Sequence, residues 1–530
     1  MPRLLTTSTA QAPKPGCSGG YSRPHTSGRR FAAAVLALIG LWLLVGLRPD
    51  AHAADGLWGY VIGAAASTFA ALLILLEEHS RGWWSASVPL ANALMFGLSP
   101  IARFYWGADG DAFPASSHMP AAGVAYIFTA VFLLANEFTR SPWAHCYEPA
   151  SLVGALACRY RLMINTALVV LPILLFAEHL RQFGGGAFLQ GLSAHLGGRT
   201  VRVYDVSTTQ YFSAAPIAHV AVAAAIVLNA RPSQNRAFIS ISAGALLLLP
   251  VLAFLPQGQR RFLLPSIVIV AVARRVRFGP MPKILFSLTI GILICLLYIV
   301  PQYRTAGARS QTGLGDLIWT TVSSPGQLVS SVLTGTDTSM INSFGYAIEQ
   351  DFGGQGDFTT LLDPVTAPIP SSLLPRQNGH DAALEFVQGT TCRFAGAGRC
   401  PDFSAPGSFY FDFGVLGGVL GGLAFFAVYR SVAKSVFHAT SSPQFASPVA
   451  GVLAFVTFRA GFGEGVVWTM MFIVPLVVAT RVASLKHDGS PRGSTQWRTG
   501  QPTLKSDRPV YPPRKLPQPP SPVPALRRPP

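Results

Sequence analysis

The chain has 530 residues and a mean hydropathy of +0.40; half of its residues are apolar and only 12% are charged. Soluble domains carry about 25% charged residues, so a soluble multidomain enzyme is excluded, and so is a disordered chain, which would be poor in apolar residues. The net charge of +17 sits mostly in the two tails. Residues 1–30 carry five basic residues and no acid, and residues 481–530 carry ten basic residues against Asp488 and Asp507. That distribution fits tails lying on an anionic leaflet and argues against a nucleic-acid partner.

Residues 1–30 are rich in Ser, Thr, Pro and Gly and read as a disordered, cytoplasmic N-terminus. The first apolar block, 31–47, follows Arg29-Arg30. Ala51-His52-Ala53 has the look of a leader-cleavage site, but the 17-residue core is long for a leader, so an uncleaved first span is expected. Further apolar blocks follow at 57–76, 83–102, 119–136, 162–178, 211–229, 237–255, 262–273, 284–300, 408–428, 447–460 and 466–480. Each of the longer ones suits the roughly 30 Å of a bilayer's hydrocarbon. The blocks at 262–273 and 447–460 are short and need flanking residues or a broken helix. Twelve blocks make an all-α polytopic membrane protein: spans 1–9 over 31–300, spans 10–12 over 408–482, and both termini on one side. With the N-terminus in the cytoplasm, the short inner loops hold twelve Lys and Arg and the short outer loops five, as the positive-inside rule requires. The excess of Arg over Lys, with abundant Gly and Ala, is the composition of a GC-rich bacterial genome, so the expected location is the bacterial cytoplasmic membrane.

Between the ninth and tenth blocks lies a segment, 301–407, far longer than an ordinary connection. Ile318, Trp319, Leu328, Val329, Val332, Leu333 and Phe344 recur at helical spacing, which predicts short helices forming an external cap. Cys392 and Cys400 lie in this segment and are a candidate disulfide if it is external. Cys146, Cys158 and Cys295 read as packing residues, and no zinc-type cysteine spacing occurs. The tail from 483 is basic and Pro-rich, with nine prolines between 511 and 530; a solvated tail is expected, with partner docking as the alternative.

Chemistry-bearing residues collect on the external side. Arg260 and Arg261 stand at the outer mouth of the eighth block, Arg304 and Arg309 at the outer end of the ninth, and Arg376 later in the loop. The positive-inside rule disfavours arginines there. A reason for them is an anionic ligand, because a guanidinium fork matches phosphate oxygens; interfacial snorkelling or ion pairing with the loop's acids is the alternative. His380 and Asp381, with Glu385, form a candidate acid/base group. Asp412 and Glu464 lie near outer span ends, and the lack of mid-span carboxylates counts against a transporter. Gly414, Gly417, Gly418, Gly421 and Gly422 make one face of the tenth span small, as close helix packing requires. No phosphate-binding loop is present, which makes an ATP-driven pump improbable.

Taken together, Arg260 or Arg261, Arg304, the stretch APIPSSLLPRQNGH (367–380) and SFYFDFGVLGGVLGG (408–422) resemble the Wzy-type O-antigen polymerase and O-antigen ligase superfamily. Tyr410, Phe413 and Gly414 fit that family's pattern, while Asp412 stands where Asn is usual and Ser408 where an acid is common. The resemblance covers roughly 230–430 by motif. It implies a GT-C-like helical fold and a glycosyltransferase that needs neither metal nor cofactor. The substrate it implies is an undecaprenyl-pyrophosphate-linked oligosaccharide, polymerised on the outer face of the membrane for a cell-surface or exopolysaccharide. Arg260 or Arg261, with Arg304, would hold the pyrophosphate, and His380, Asp381 or Glu385 would take the acceptor's proton. A flippase and a chain-length regulator are the partners it implies. A ligase acting on finished polymer, and a polysaccharide exporter, are the alternative readings.

Overall fold

The computed structural model describes residues 26–45, 53–106, 115–139, 142–143, 206–230, 236–254, 260–280, 323–334, 340–354 and 403–484, with a few isolated positions between 170 and 177, between 283 and 291, and at 319, 358, 361 and 362. Among these the chain is 92% helical with no strand, so the all-α class holds. Among the described residues, six apolar stretches are long enough to cross a membrane: Ser27–Val45, Leu57–Arg81, Trp83–Trp106, His118–Phe138, Ala405–Thr440 and Phe462–Arg481. They coincide with six of the predicted blocks. Four other blocks are also helical, and those at 162–178 and 284–300 lie largely outside the described residues.

In chain order the helices are α1 (Thr26–Val45), α2 (Ala53–Glu78), α3 (Trp83–Asn92), α4 (Ser99–Trp106), α5 (Ala115–Phe138), α6 (Val206–Leu228), α7 (Arg236–Phe254), α8 (Arg260–Phe278), α9 (Pro325–Thr334), α10 (Met340–Glu349), α11 (Ala405–Phe413), α12 (Gly417–Thr440), α13 (Pro443–Ala460) and α14 (Phe462–Ser484). The short block at 262–273 is completed by basic flanks to give α8, and the block at 447–460 by an N-terminal Pro443 to give α13. A 3₁₀ turn joins α2 to α3, and a π-helical turn, Ala93–Leu98, joins α3 to α4.

That π turn has a readable cause. A regular helix would satisfy the Phe96 carbonyl from the N–H of residue 100, which is proline and has none. The Tyr126 hydroxyl from α5 donates to that carbonyl at 2.8 Å instead. Gly63 of α2 admits the Tyr126 ring: a Cβ there would stand 2.2 Å from it. Tyr126→Phe is therefore expected to leave a buried acceptor unpaired and cost about 1–3 kcal/mol. The check is thermal unfolding of the detergent-solubilised protein; an unchanged midpoint would remove Tyr126 from this role.

Two ends of the bundle can be told apart. At the near end Arg29 of α1, 4% exposed, pairs with Glu77 at 2.5 Å and Glu78 at 2.7 Å on α2. Arg30 reaches Glu137 of α5 at 4.0 Å and lies over the Phe138 ring. Higher up, α1 and α5 touch backbone to backbone, because a Cβ on Gly40 would stand 2.8 Å from the Gly123 carbonyl and one on Gly123 equally close to that of Gly40. The first predicted span is thus a packed member of the bundle. Ser447 of α13 donates to the Arg81 carbonyl and accepts from the Trp84 N–H at the near end. α4 ends, and α5 begins, at the opposite far end.

The helices and the α2–α3 turn place Arg29, Arg30, Arg81, Arg236, Arg274, Arg275, Arg277, Arg430, Lys434 and Arg481 in the near half against only Glu77, Glu78 and Glu137. Among the described residues the far half holds Arg103, Arg260, Arg261 and Arg459 against Asp55, Glu349, Asp351, Asp412 and Glu464.

Candidate functional site

The far end is not flat. Gly418 of α12 stands against the Val124 carbonyl of α5, and Gly422 against that of Phe128. The first residue of α12 therefore lies level with residue 123, eight positions into α5, or about 12 Å below the first residue of α5 at 1.5 Å per residue. α13 stops at a similar level: Phe458, two residues from its end, packs edge-on to Phe96 at 6.2 Å and Phe128 at 5.7 Å, both mid-helix. α14 starts there too, with Phe462 against Phe409 at 4.7 Å and Phe425 at 6.2 Å. Helix ends thus form a shelf below the rim made by α4 and α5.

Two glycines create those ends. Gly461, between α13 and α14, has φ 97° and ψ 155°, and Gly414, after α11, has φ 59° and ψ −142°. Side-chain-bearing residues avoid both conformations. The polar groups freed by the breaks find partners. Ser404 caps α11, accepting from the Gly407 N–H at 3.3 Å, and the Ser408 hydroxyl accepts from the Phe462 N–H at 3.4 Å, satisfying the first turn of α14. At membrane depth, irregular backbone persists only where protein or a watery cavity surrounds it, and broken helices are where transporters and related proteins build binding sites.

Charge gathers on this shelf. Asp412 is buried at the end of α11, Arg459 closes α13, and Glu464 occupies the first turn of α14, where a carboxylate suits the helix dipole. None of the three is free. Arg260 and Arg261 are the first two residues of α8. The next residue, Phe262, is 2% exposed and packs on Trp468 of α14 with ring centroids 4.8 Å apart. The predicted arginine pair therefore opens its helix beside the first two turns of α14.

The segment between the ninth and tenth blocks contributes two of its helices here. Leu328, Val329, Val332 and Leu333 fall on α9 and Phe344 on α10. α10 does not perch on top of the bundle: its Phe344 is fully buried and contacts Phe96 at 6.2 Å, Phe403 at 6.1 Å and Tyr410 at 5.4 Å. Just after α10, the chain passes so close to Tyr410 that a Cβ on Gly353 would stand 2.9 Å from its ring and hydroxyl. Arg103 at the end of α4 donates to the Thr334 carbonyl at 2.5 Å, holding the last turn of α9.

The other predicted site residues, Arg304, Arg309, Arg376, His380, Asp381, Glu385, Cys392 and Cys400, lie outside the described residues. Among the described residues no group of three or more His, Cys, Asp or Glu side chains is placed to hold a metal ion. Sequence reading placed Asp412 and Glu464 near span ends but missed that those ends sit inside the bundle; the GFGEG stretch, two glycines flanking an acid inside an apolar run, was the available signal. No protein-family model matches the chain, and neither a curated protein nor a solved structure matches it.

Proposed function

We propose that this chain is a membrane glycosyltransferase that polymerises undecaprenyl-pyrophosphate-linked oligosaccharide units on the outer face of the bacterial cytoplasmic membrane. In this reading it has about twelve spans in a GT-C-like arrangement, with the basic near end and both termini in the cytoplasm and the shelf facing outward. The observation that carries it is the Arg260–Arg261 pair, which opens α8 beside the start of α14 at the end of the bundle that, among the described residues, is otherwise poor in basic residues. The resemblance of the Arg260/Arg261, Arg304 and 408–422 motifs supplies the substrate class, and the excess of near-half basic residues supports the orientation.

The acceptor's sugar hydroxyl attacks the anomeric carbon of the donor glycan as the bond from that carbon to the pyrophosphate oxygen breaks. Arg260 or Arg261, with Arg304, stabilises the charge that develops on the departing lipid pyrophosphate. His380, assisted by Asp381 or Glu385, takes the hydroxyl proton. The donor is already activated, so no nucleotide is consumed. A flippase delivering the donor and a chain-length regulator are the proposed partners.

The test is product analysis. Purified full-length protein in lipid nanodiscs, given lipid-linked oligosaccharide, is expected to produce a ladder of lengthening lipid-linked glycans. A single transfer without a ladder would make the protein a ligase. Unchanged substrate, from folded protein, would overturn the reading.

A further inference from the structure

The near end of α8 carries a guanidinium with two buried nitrogens that nothing satisfies. Arg274 is part-buried, and its Nε and Nη1 are shut off from solvent with no hydrogen-bond partner. Three N–H groups of a guanidinium that stays charged at any physiological pH are thereby left without an acceptor. An arrangement of this kind is costly unless an anion completes it.

Among the described residues, the acids are poorly placed to do so. α8 packs mainly against α6, α7 and α13, and not one of these four helices contains an Asp or Glu at any position; it meets α14, which carries Glu464, through Phe262 at its far end. The described near-end acids sit on α2 and α5, where Glu77 and Glu78 hold Arg29 and Glu137 faces Arg30. One turn beyond Arg274, Arg277 donates to the Ala230 carbonyl at the end of α6, which fixes the ends of α6 and α8 side by side. Arg275 between them is exposed, and α8 ends three residues after it, before Gly279 at φ 81°. Beside α8, α7 presents Phe238, Ile241 and Leu248 to the outside, at 69%, 70% and 56% exposure; in a membrane that face meets hydrocarbon chains.

We propose that Arg274, flanked by Arg275 and Arg277, binds the phosphate of an anionic glycerophospholipid at the near end of α8, with the lipid's chains lying along α7. Basic residues between helix ends at headgroup depth suit such a headgroup, and a guanidinium suits its phosphate oxygens. This site is independent of the proposed glycosyl transfer.

The experiment uses full-length protein in neutral detergent, titrated with phosphatidylglycerol, phosphatidylcholine or inorganic phosphate. Bound lipid is read by native mass spectrometry and stability by thermal unfolding. Phosphatidylglycerol is expected to stay bound and to raise the unfolding midpoint, phosphatidylcholine and inorganic phosphate to do neither. Arg274→Gln should weaken retention roughly tenfold or more, the worth of a charge-assisted hydrogen bond. Arg274→Lys should fall between. Lys434→Gln, which removes an exposed near-end charge on α12, should leave retention intact. Equal retention by Arg274→Gln, or equal protection by phosphatidylcholine, would overturn the site; full protection by inorganic phosphate would overturn the lipid as its ligand. Should Arg274→Gln fail to fold, the comparison of lipids on the unmodified protein still decides.

Discussion

Arg304→Ala is expected to abolish the glycan ladder while the protein still inserts at normal abundance. The leaving group of the proposed reaction is a diphosphate whose charge grows as the glycosidic bond to it breaks. A preorganised donor aimed at such charge is worth about 10²–10³ in rate, and Arg304 is asked to supply one half of the clamp. In the proposed reaction the other half is assigned to the start of α8. Because Arg260 and Arg261 are adjacent and the helix start is fixed by the Phe262–Trp468 contact, the two single alanine variants should differ, one losing most activity and the other little. Lysine at either essential position keeps the charge but loses the two-pronged fork, so it should restore only part of the rate. Fluorescence-detected size exclusion checks folding, and gel analysis of lipid-linked glycans checks the product. Near-normal chain length in Arg304→Ala would remove the arginine clamp, and with it the proposed chemistry.

The apolar blocks were legible because block length and absence of charge are what a bilayer demands of a helix, whatever its neighbours. The placement of Arg260 and Arg261 at a helix start was legible for the same reason: the apolar run begins just after them. What hydropathy could not show was depth. Residues 408–428 read as one span, whereas the chain forms α11, breaks at Gly414 and sets off again as α12. The same composition serves both roles, since glycines that let helices touch look identical in sequence to a glycine that ends one. Gly418 and Gly422 pack on α5 as the small-residue face predicts, while Gly414 takes a positive φ. The π turn was hidden similarly, because its cause, Pro100, acts on a carbonyl four residues earlier and the compensating hydroxyl comes from another helix. α10 was legible as a helix from its spacing, but its insertion beside Phe96 depends on ring contacts between distant segments, which no local pattern encodes.

Gly417→Ala is expected to be the most damaging single-methyl change in the described bundle, and Gly414→Ala a much milder one. At Gly417 the added Cβ would stand 2.2 Å from the Phe409 carbonyl oxygen, 2.4 Å from its carbon and 2.7 Å from the Tyr410 nitrogen. All three are backbone atoms of α11, so no side chain can swing aside. Relief requires α11 to move away from α12, and α11 is pinned by the Phe409 contacts with Phe128 and Phe462 and by the Ser408 bond to α14. Overpacking a core with atoms that can yield costs about 1–3 kcal/mol, and here the atoms cannot yield, so the loss should exceed about 3 kcal/mol. At Gly414 the situation is reversed: a Cβ meets nothing nearer than 4.0 Å, and the cost is only that of holding a side-chain-bearing residue at positive φ, about 1–3 kcal/mol. Since α11 carries Asp412 and feeds the shelf, Gly417→Ala should also lose activity in proportion to folded protein, whereas Gly414→Ala should retain a measurable ladder. Thermal unfolding of both variants in detergent, side by side, is the measurement. If Gly417→Ala melts with the unmodified protein while Gly414→Ala does not, the close crossing of α11 over the start of α12 is wrong, and the shelf built on it falls as well.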